Sequence, residues 1–331
     1  MVAQIDFTYI QSRPWRLYSR LMSYAIFEGR PLTTRGRWIN PFLFAFFSVC
    51  KKLPAIRKVT EPIFILGTGR SGTTVLGIVL SIHKQVGFLN EPKALWHSIY
   101  PEEDIIGSYA LGPAHYRLSE SDAMPRQVRN AHRLFGSYLA ATFSNRVVDK
   151  YPELIFRLPF VKKIFPDAKF IFLMRNGWDT CHSIEGWSGR LGEQKINEVH
   201  DWWGVNRRKW NLLVEQIVPE HVDLAPHLSE ISQFTKQSDM AAVEWIVTMR
   251  EGLAMLDSDH KDVIGVRFED LSRQPEKVLC VLRDFLGLAE DPVFSDYGKL
   301  TLHPVKGTEP FDLHPLLEAP FRDTMKRLGY V

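Results

Sequence analysis

A glycine-rich segment between two apolar runs is the part of the sequence best suited to chemistry. In GTGRSGTTVL, residues 67–76, three glycines allow a tight turn and a close approach of the backbone to a ligand. The free N–H groups that open the following helix attract negative charge. The segment therefore predicts a phosphate or sulfate site, with a glycine-rich turn that binds nothing as the competing interpretation. The segment contains the glycines Gly67, Gly69 and Gly72 and the side-chain donors Arg70, Ser71, Thr73 and Thr74.

The same segment lacks the lysine of nucleoside-triphosphate loops. Gly67 and Gly72 have the spacing of the pattern GxxxxGK[ST], but Thr73 stands at the lysine position. A kinase or ATPase would lose the contact between that lysine and the terminal phosphates. The residues that remain suit a nucleotide with a single 5′-phosphate.

Charged residues at the ends of other apolar runs are candidates for the same site. Glu91 follows the run at 86–89, Lys150 follows 146–149, and Arg175 follows KFIFLM at 169–174. Parallel sheets place their chemistry at the carboxyl ends of their strands. We therefore expect these three side chains to lie near the glycine-rich segment.

Strand-like runs that alternate with helical patterns must position these residues. The runs lie near 62–66, 86–89, 146–149, 169–174 and 263–267. They predict an α/β fold, a P-loop-like doubly wound parallel sheet of about five strands flanked by helices. Residues 186–258 are predicted to be mainly helical and to bind an acceptor. Trp202 and Trp203, near Arg207, Arg208 and Lys209, are candidates for one wall of that site, with tryptophans packed in the core as the competing interpretation. The tail beyond Asp291 has five prolines and little periodicity.

Two motifs occur in the order typical of one enzyme family. RSGTT at 70–74 is the first, and FIFLMRNGWDTCHS at 170–183 is the second, with an arginine after a buried strand and a serine eight residues later. With FPDAKF at 165–170 and VRFEDLSRQPEKVL at 266–279, they resemble the sulfotransferases that use 3′-phosphoadenosine 5′-phosphosulfate (PAPS). The likeness covers about residues 60–290. It is closer to the branch of protein-tyrosine and bacterial carbohydrate or metabolite sulfotransferases than to the cytosolic phenol enzymes.

The resemblance implies a role for each candidate residue. It implies that Glu91, 21 residues after Arg70, is the base for the acceptor, and that Arg70 and Lys150 stabilise the leaving phosphate. PAPS is the implied co-substrate, 3′-phosphoadenosine 5′-phosphate the product, and no metal is required. Phe268 departs from the tyrosine of many relatives, so a hydroxyl contact near the adenine is lost. The implied contacts to the 5′-phosphosulfate are Gly69, Arg70, Ser71, Gly72, Thr73 and Thr74, and those to the 3′-phosphate are Arg175 and Ser183.

Residues 1–60 differ in charge from the remainder of the chain. They contain ten Lys and Arg residues against Asp6 and Glu28, whereas the whole chain has a net charge of +3. The basic residues alternate with large aromatic residues, as in helices that lie in a membrane interface. Helices that cap a domain or form a dimer contact fit equally well. We therefore divide the chain into a basic, aromatic helical segment at 1–60 and a sulfotransferase domain at 61–331, with a helical lobe at about 186–258.

Cysteine usage and hydropathy bear on the compartment. Cys50, Cys181 and Cys280 are widely separated and lack metal-site spacing, which favours a reducing compartment. The apolar run at 39–50 is shorter than the roughly 20 residues that span a bilayer. We expect a cytoplasmic protein without a nucleic-acid partner. Peripheral membrane contact through residues 10–58 stays open.

The function that these observations predict is in-line transfer of the PAPS sulfuryl group. The acceptor is expected to be a hydroxyl, or an amine, on a small metabolite, a saccharide or a lipid. A P-loop-type kinase and a non-catalytic nucleotide-binding protein are the alternatives. The sequence leaves the identity of the acceptor and the oligomeric state open.

Overall fold

Five parallel strands form the main sheet of the computed structural model, which describes residues 2–32, 34–195, 198–258 and 261–330. Their order in the sheet is β2-β3-β1-β4-β8. The predicted doubly wound parallel sheet is confirmed, and its central strand leads into the glycine-rich loop. In chain order the strands are β1 (Ile63–Gly67), β2 (Val86–Asn90), β3 (Arg146–Lys150), β4 (Lys169–Met174), the short β5 (Glu193–Lys195), β6 (Glu198–Asp201) and β7 (Gly204–Val205), and β8 (Val263–Arg267).

Register brings the carboxyl ends of the strands to one edge of this sheet. Lys150, the last residue of β3, pairs with Ile65 of β1 and with Asn90 at the end of β2. Gly67 at the end of β1 pairs with Leu173 of β4. Residues that follow these strands therefore start from neighbouring positions along the same edge.

Helices cover both faces of the sheet. Alternate residues of β1 point to opposite faces, so Ile63 and Ile65 belong to one hydrophobic core and Phe64 and Leu66 to the other. The helices are α1 (Phe7–Ser12), α2 (Arg16–Met22), α3 (Asn40–Cys50), α4 (Thr73–Ile82), α5 (Lys93–Ile99), α6 (Pro125–Ala141), α7 (Leu158–Ile164), α8 (Gly177–Leu191), α9 (Arg208–Gln216), α10 (Leu228–Ser232), α11 (Gln237–Asp257), α12 (Phe268–Arg273), α13 (Pro275–Leu286), α14 (Pro292–Thr301) and α15 (Pro315–Arg327).

The tail beyond Asp291 is more regular than its composition indicates. It contains α14 and α15, each of which has a proline in its first turn, where no N–H is needed. The Asp291 side chain caps α14 by accepting the N–H of Phe294. Residues Leu317, Phe321 and Met325 recur every four positions and are buried, a helical period that Pro320 obscures in the sequence.

The region at 186–258 contains a small sheet in addition to its helices. Strands β5, β6 and β7 pair antiparallel between α8 and α9. Gly204 has a φ of +80°, which lets the chain turn tightly between β6 and β7. The turn starts at Trp202, whose indole lies over the glycine-rich loop. Sequence reasoning expected helix here because the strands are only two to four residues long.

The arginines of the first 30 residues are buried, whereas several neighbouring aromatic residues are exposed. Arg13 bonds both carboxylate oxygens of Asp291, and Arg20 forms an ion pair with Glu28. The Glu28 carboxylate also accepts the N–H of Asn90 at 2.7 Å, which joins the segment to the sheet. Trp15 and Tyr18 face outward. None of the helices in the described ranges is long and apolar enough to cross a membrane.

The buried pair between Arg20 and Glu28 generates a prediction about stability. Their side chains are only 1% and 6% exposed, so Arg20→Met leaves Glu28 as a buried charge without its partner. We expect the free energy of unfolding to fall by about 3–5 kcal/mol, measured by urea denaturation. The exposed Arg35→Met variant is the control and should change it by less than about 0.5 kcal/mol. An Arg20→Met protein as stable as the control would show that Glu28 finds another partner.

Candidate active site

The glycine-rich loop connects the central strand β1 to the first turn of α4. Gly72 precedes this helix with a φ of +93°, a conformation that favours glycine, and no side chain caps the helix start. The N–H groups of the first turn therefore face the loop without a side-chain acceptor. A ten-residue helix that begins in this way presents a partial positive charge to an anion.

Aromatic rings pack directly against two of the loop glycines. A methyl group on Gly72 would lie 2.2 Å from the ring of Phe268, and one on Gly69 would lie 2.4 Å from the indole of Trp202. Neither position has room for a side chain. The loop is therefore held between α12 and the β6–β7 turn. Its backbone is accessible where neither ring covers it.

Arg70, Arg175 and Ser183 meet above the loop. The Arg70 Nε–H donates to the Ser183 hydroxyl at 3.1 Å, and an Arg175 N–H donates to the Arg70 carbonyl at 2.9 Å. Desolvation, followed by the positive charges of Arg190 and Arg175, lowers the pKa of Arg70. The guanidinium groups of these arginines thus repel one another, and a bound anion would reduce that repulsion.

Arg175 is fixed by the protein but keeps hydrogen-bonding capacity. Its guanidinium lies over the Phe268 ring, 4.9 Å from the centroid, and its Nε is buried without a hydrogen-bond acceptor in the described part of the chain. This Nε lies 4.0 Å from Oδ2 of Asp179, too far for a hydrogen bond. A buried donor of this kind has a free-energy cost unless a ligand satisfies it.

Glu91 lies between two lysines at the end of β2. The Lys150 ammonium donates to Oε1 of Glu91, and Lys93 Nζ is 3.4 Å from Oε2. Desolvation disfavours the carboxylate, but the charges of Lys150 and Lys93 outweigh it and hold the pKa of Glu91 well below its usual range. The backbone of Glu91 has a φ of +49°, a conformation that is strained for a residue with a Cβ.

One cleft of about 260 Å³ is lined by every residue predicted for catalysis or for contact with the nucleotide phosphates except Ser71. Ser71 is buried, and its hydroxyl donates to the Thr68 carbonyl within the loop. Thr73 lines the cleft although almost all of its surface is covered. Across the described ranges, no group of three His, Cys, Asp or Glu residues could hold a metal ion.

A second cavity adjoins the cleft on the far side of Trp202. It shares Gly69, Glu91, Trp187 and Trp202 with the cleft. Its other walls carry charges that sequence reasoning missed, namely Lys93, Glu153 and Asp201, together with Lys209, which had been assigned to an acceptor wall.

The lysines of this second cavity are paired with carboxylates. Lys209 bonds Glu244 at 2.5 Å and Glu153 at 3.2 Å, and the Trp202 indole N–H donates to Glu244 at 2.6 Å. Of the residues predicted for an acceptor wall, Trp202 and Lys209 line this cavity, Trp203 is fully buried against Trp210, and Arg207 and Arg208 are not among the lining residues. Glu153 could have been found from the sequence, because it lies only three residues after Lys150, a predicted site residue.

The arrangement defines an α/β protein with a P-loop-like, positively charged cleft, and comparisons with known proteins show which family the chain resembles. Residues 62–202 match the model described as "Sulfotransferase family". This region contains β1 to β4, the glycine-rich loop and Trp202. The resemblance of this sequence to the sulfotransferase family is confirmed.

Curated relatives and solved structures carry the same family name. The chain is similar to "Protein-tyrosine sulfotransferase 1" of Danio rerio, with 23% identity over 66% of this chain and 62% of the relative. It is also similar to "Protein-tyrosine sulfotransferase" of Drosophila melanogaster, with 24% identity over 65% of this chain and 42% of that protein. The alignments thus span less than two thirds of either relative. The "Sulfotransferase Domain from the Synechococcus PCC 7002 Olefin Synthase" aligns with a TM-score of 0.49 and 16% identity, over 84% of this chain and 98% of that one.

The lowered pKa of Glu91 predicts how its contribution to stability depends on pH. Because the pKa is lowered in the folded protein, the ion pairs stabilise fully above the unfolded value of about 4.3 and are lost as pH falls below it. We expect Glu91→Gln to reduce the free energy of unfolding by a constant amount above that pH and by less at lower pH. Urea unfolding across the pH range tests this.

The exposed Glu290→Gln variant is the control for this measurement and should differ little from the unsubstituted protein at any pH. A difference between the Glu91→Gln and unsubstituted proteins that grows as pH falls would contradict the direction of the pKa shift.

Proposed function

We propose that this protein transfers the sulfuryl group of PAPS to a hydroxyl, or to an amine, of a small metabolite, a saccharide or a lipid. The observation that carries the proposal is the meeting of Arg70, Glu91, Lys150, Arg175 and Ser183 in one cleft beside the uncapped start of α4. The sulfotransferase family match of residues 62–202 supports the same chemistry.

The residues of the cleft fit a nucleotide with phosphate groups at two positions. The loop from Gly69 to Thr74 would hold the 5′-phosphosulfate with backbone N–H groups and the Arg70 guanidinium. Arg175 would bind the 3′-phosphate, since its buried Nε lacks a hydrogen-bond acceptor among the described residues. Ser183 would join it, because its hydroxyl accepts from Arg70 and keeps its own proton to donate. The Ser71 hydroxyl already bonds the loop, so Ser71 would contribute mainly through its backbone.

Sulfuryl transfer requires placement of the reactants and stabilisation of charge. The acceptor oxygen forms a bond to sulfur as the bond between sulfur and the bridging phosphate oxygen breaks, and 3′-phosphoadenosine 5′-phosphate leaves. Negative charge grows on the leaving phosphate, where Arg70 and Lys150 can stabilise it. The acceptor proton passes to Glu91, the carboxylate that lines both the cleft and the second cavity.

The ion pair between Glu91 and Lys150 links nucleotide binding to the base. Paired with two lysines, Glu91 is ionised but weakly basic, because its pKa is low. A phosphate group in the same cleft competes for the Lys150 ammonium. Weaker pairing with Lys150 raises the pKa of Glu91 and makes it a better proton acceptor. Nucleotide binding would in this way increase the basicity of Glu91.

The second cavity supports a polar acceptor. It contains the side chains of two tryptophans, and its buried lysines are matched by Glu153 and Glu244. Glu91 and Asp201 also line it, so the acidic residues outnumber Lys93 and Lys209, and a neutral hydroxyl-bearing group suits such a wall better than an anion. The names of the curated relatives add a tyrosyl hydroxyl to the acceptors worth testing.

Two alternatives make different predictions about the ligand. A P-loop-type kinase would bind ATP with Mg²⁺, but Thr73 occupies the position of its essential lysine. A non-catalytic nucleotide-binding protein would bind PAPS without turnover on a broad panel of acceptors. Transfer of label from PAPS or from ATP separates the three functions.

We expect 3′-phosphoadenosine 5′-phosphate to raise the melting temperature in the presence of a chelator. The proposed phosphate sites consist of guanidinium, hydroxyl and N–H donors, so binding needs no divalent cation. A ligand at 100 times its Kd adds about 2.7 kcal/mol to the free energy of unfolding. The measurement is differential scanning fluorimetry, with ATP and Mg²⁺ as the comparison. A shift with ATP and Mg²⁺ alone would favour the kinase.

Substitutions should separate nucleotide binding from proton transfer. Arg175→Ala should weaken nucleotide affinity in calorimetry, because it removes a charged partner of the 3′-phosphate. Glu91→Gln should bind the nucleotide but lower kcat by about 10²–10⁴, the usual contribution of a general base. Glu290→Gln, at an exposed carboxylate, should leave both quantities unchanged. Near-normal turnover by Glu91→Gln with a hydroxyl acceptor would assign the proton to another group.

A further inference from the structure

Helix α3 exposes an almost entirely apolar face. Trp38, in the turn before it, and Phe42 are 75% and 67% exposed, and Phe46, Val49 and Leu53 are exposed as well. Their spacing places them along one side of the helix and its flanks. We call these five residues the α3 face. A contiguous exposed group of this kind is unusual on a protein that has no partner there.

The opposite side of α3 is firmly packed. Leu43, Phe47 and Cys50 are buried in the core. Phe44 lies against Tyr109 and against His97 of α5, with ring centroids 5.3 Å and 5.7 Å apart. The helix is thus a fixed part of the domain, and the α3 face is not a surface that rotating the helix could bury.

The charged residues of the chain segment that carries the α3 face are all basic. Residues 29–60 contain seven Lys and Arg residues and no Asp or Glu. Arg35 lies before the helix, and Lys52 and Lys58 lie after it, all exposed. Arg30, by contrast, is buried and donates to backbone carbonyls. The exposed cations therefore flank the apolar residues at both ends, as in helices that lie on anionic lipids.

We propose that the α3 face docks the protein peripherally on an anionic lipid bilayer. The helix has 11 residues, about half the number needed to span the bilayer, so it would lie in the interface. Trp38 and the phenylalanines would enter the boundary between headgroups and acyl chains, while Arg35 and Lys52 contact lipid phosphates. The proposal does not depend on the sulfuryl-transfer chemistry.

A second copy of the chain fits this surface less well than lipid. In a two-fold dimer with antiparallel α3 helices, Arg35 of one copy would face Lys52 of the other. The segment offers no acidic residue to neutralise them. An anionic bilayer supplies negative charge on its headgroups and an apolar layer in its acyl chains, so the observed charge favours the membrane.

Co-sedimentation of the full chain with vesicles tests the proposal. We expect binding at low salt to phosphatidylcholine vesicles that contain phosphatidylglycerol, weaker binding without it, and release as salt rises. Trp38→Ser/Phe42→Ser should lower the partition coefficient more than about tenfold. Arg35→Gln/Lys52→Gln should lower it about fivefold for each charge removed.

Matched exposed positions elsewhere provide the controls. Val222→Ser/Leu300→Ser removes apolar groups of similar exposure, and Arg273→Gln/Lys277→Gln removes two exposed charges; neither should change vesicle binding by more than about twofold. Unchanged melting temperatures verify folding. The proposal is overturned if the unsubstituted chain fails to bind anionic vesicles at low salt. It is also overturned if Trp38→Ser/Phe42→Ser binds these vesicles as strongly as the unsubstituted chain. The α3 face is assigned to a second copy of the chain if the unsubstituted chain does not bind vesicles but forms a dimer in sedimentation equilibrium, and if Trp38→Ser/Phe42→Ser abolishes that dimer.

Discussion

The ion pair between Lys150 and Glu91 depends on the parallel register of three strands. Lys150 ends β3, and its backbone carbonyl accepts the N–H of Glu91 at 2.7 Å, one residue past the end of β2. This backbone bond holds Glu91 at positive φ and turns its side chain toward the Lys150 ammonium. The same sheet edge carries Gly67, so the carboxylate and the glycine-rich loop face one cleft. A shift of one residue in either strand would point these side chains to opposite faces.

Residues from several other elements maintain this geometry. Glu28, which pairs with Arg20 in the N-terminal segment, accepts the N–H of Asn90, the residue before Glu91. Phe268 and Trp202 press on the loop glycines from two other elements. The loop and the end of β2 are therefore supported from several directions. Such support restricts the backbone where the proposed chemistry needs fixed distances.

Trp202 divides the site into two compartments with different electrostatics. The cleft on one side contains Arg70, Lys150 and Arg175, an excess of positive charge that suits an anion. On the other side, Lys209 is paired with Glu153 and Glu244. Glu91 lies at the boundary and lines both. Trp202 would thus separate a negatively charged sulfuryl donor in the cleft from an acceptor without negative charge in the second cavity.

Local patterns in the sequence determined the sheet, the glycine-rich loop and the residues that end the strands. An apolar run followed by GTGRSGTT has few alternatives to a strand, an anion loop and a helix, because glycine placement and hydrophobic period act over a few residues. Glu91, Lys150 and Arg175 were predictable for the same reason, since each ends or directly follows a buried strand. Tertiary structure alone decided the lysine pairing that lowers the pKa of Glu91, the position of Trp202 and the burial of the N-terminal arginines. These depend largely on contacts between distant segments, such as Lys150 with Glu91, 59 residues apart, and Arg13 with Asp291, 278 residues apart. No local pattern encodes which distant charge will lie beside a given residue.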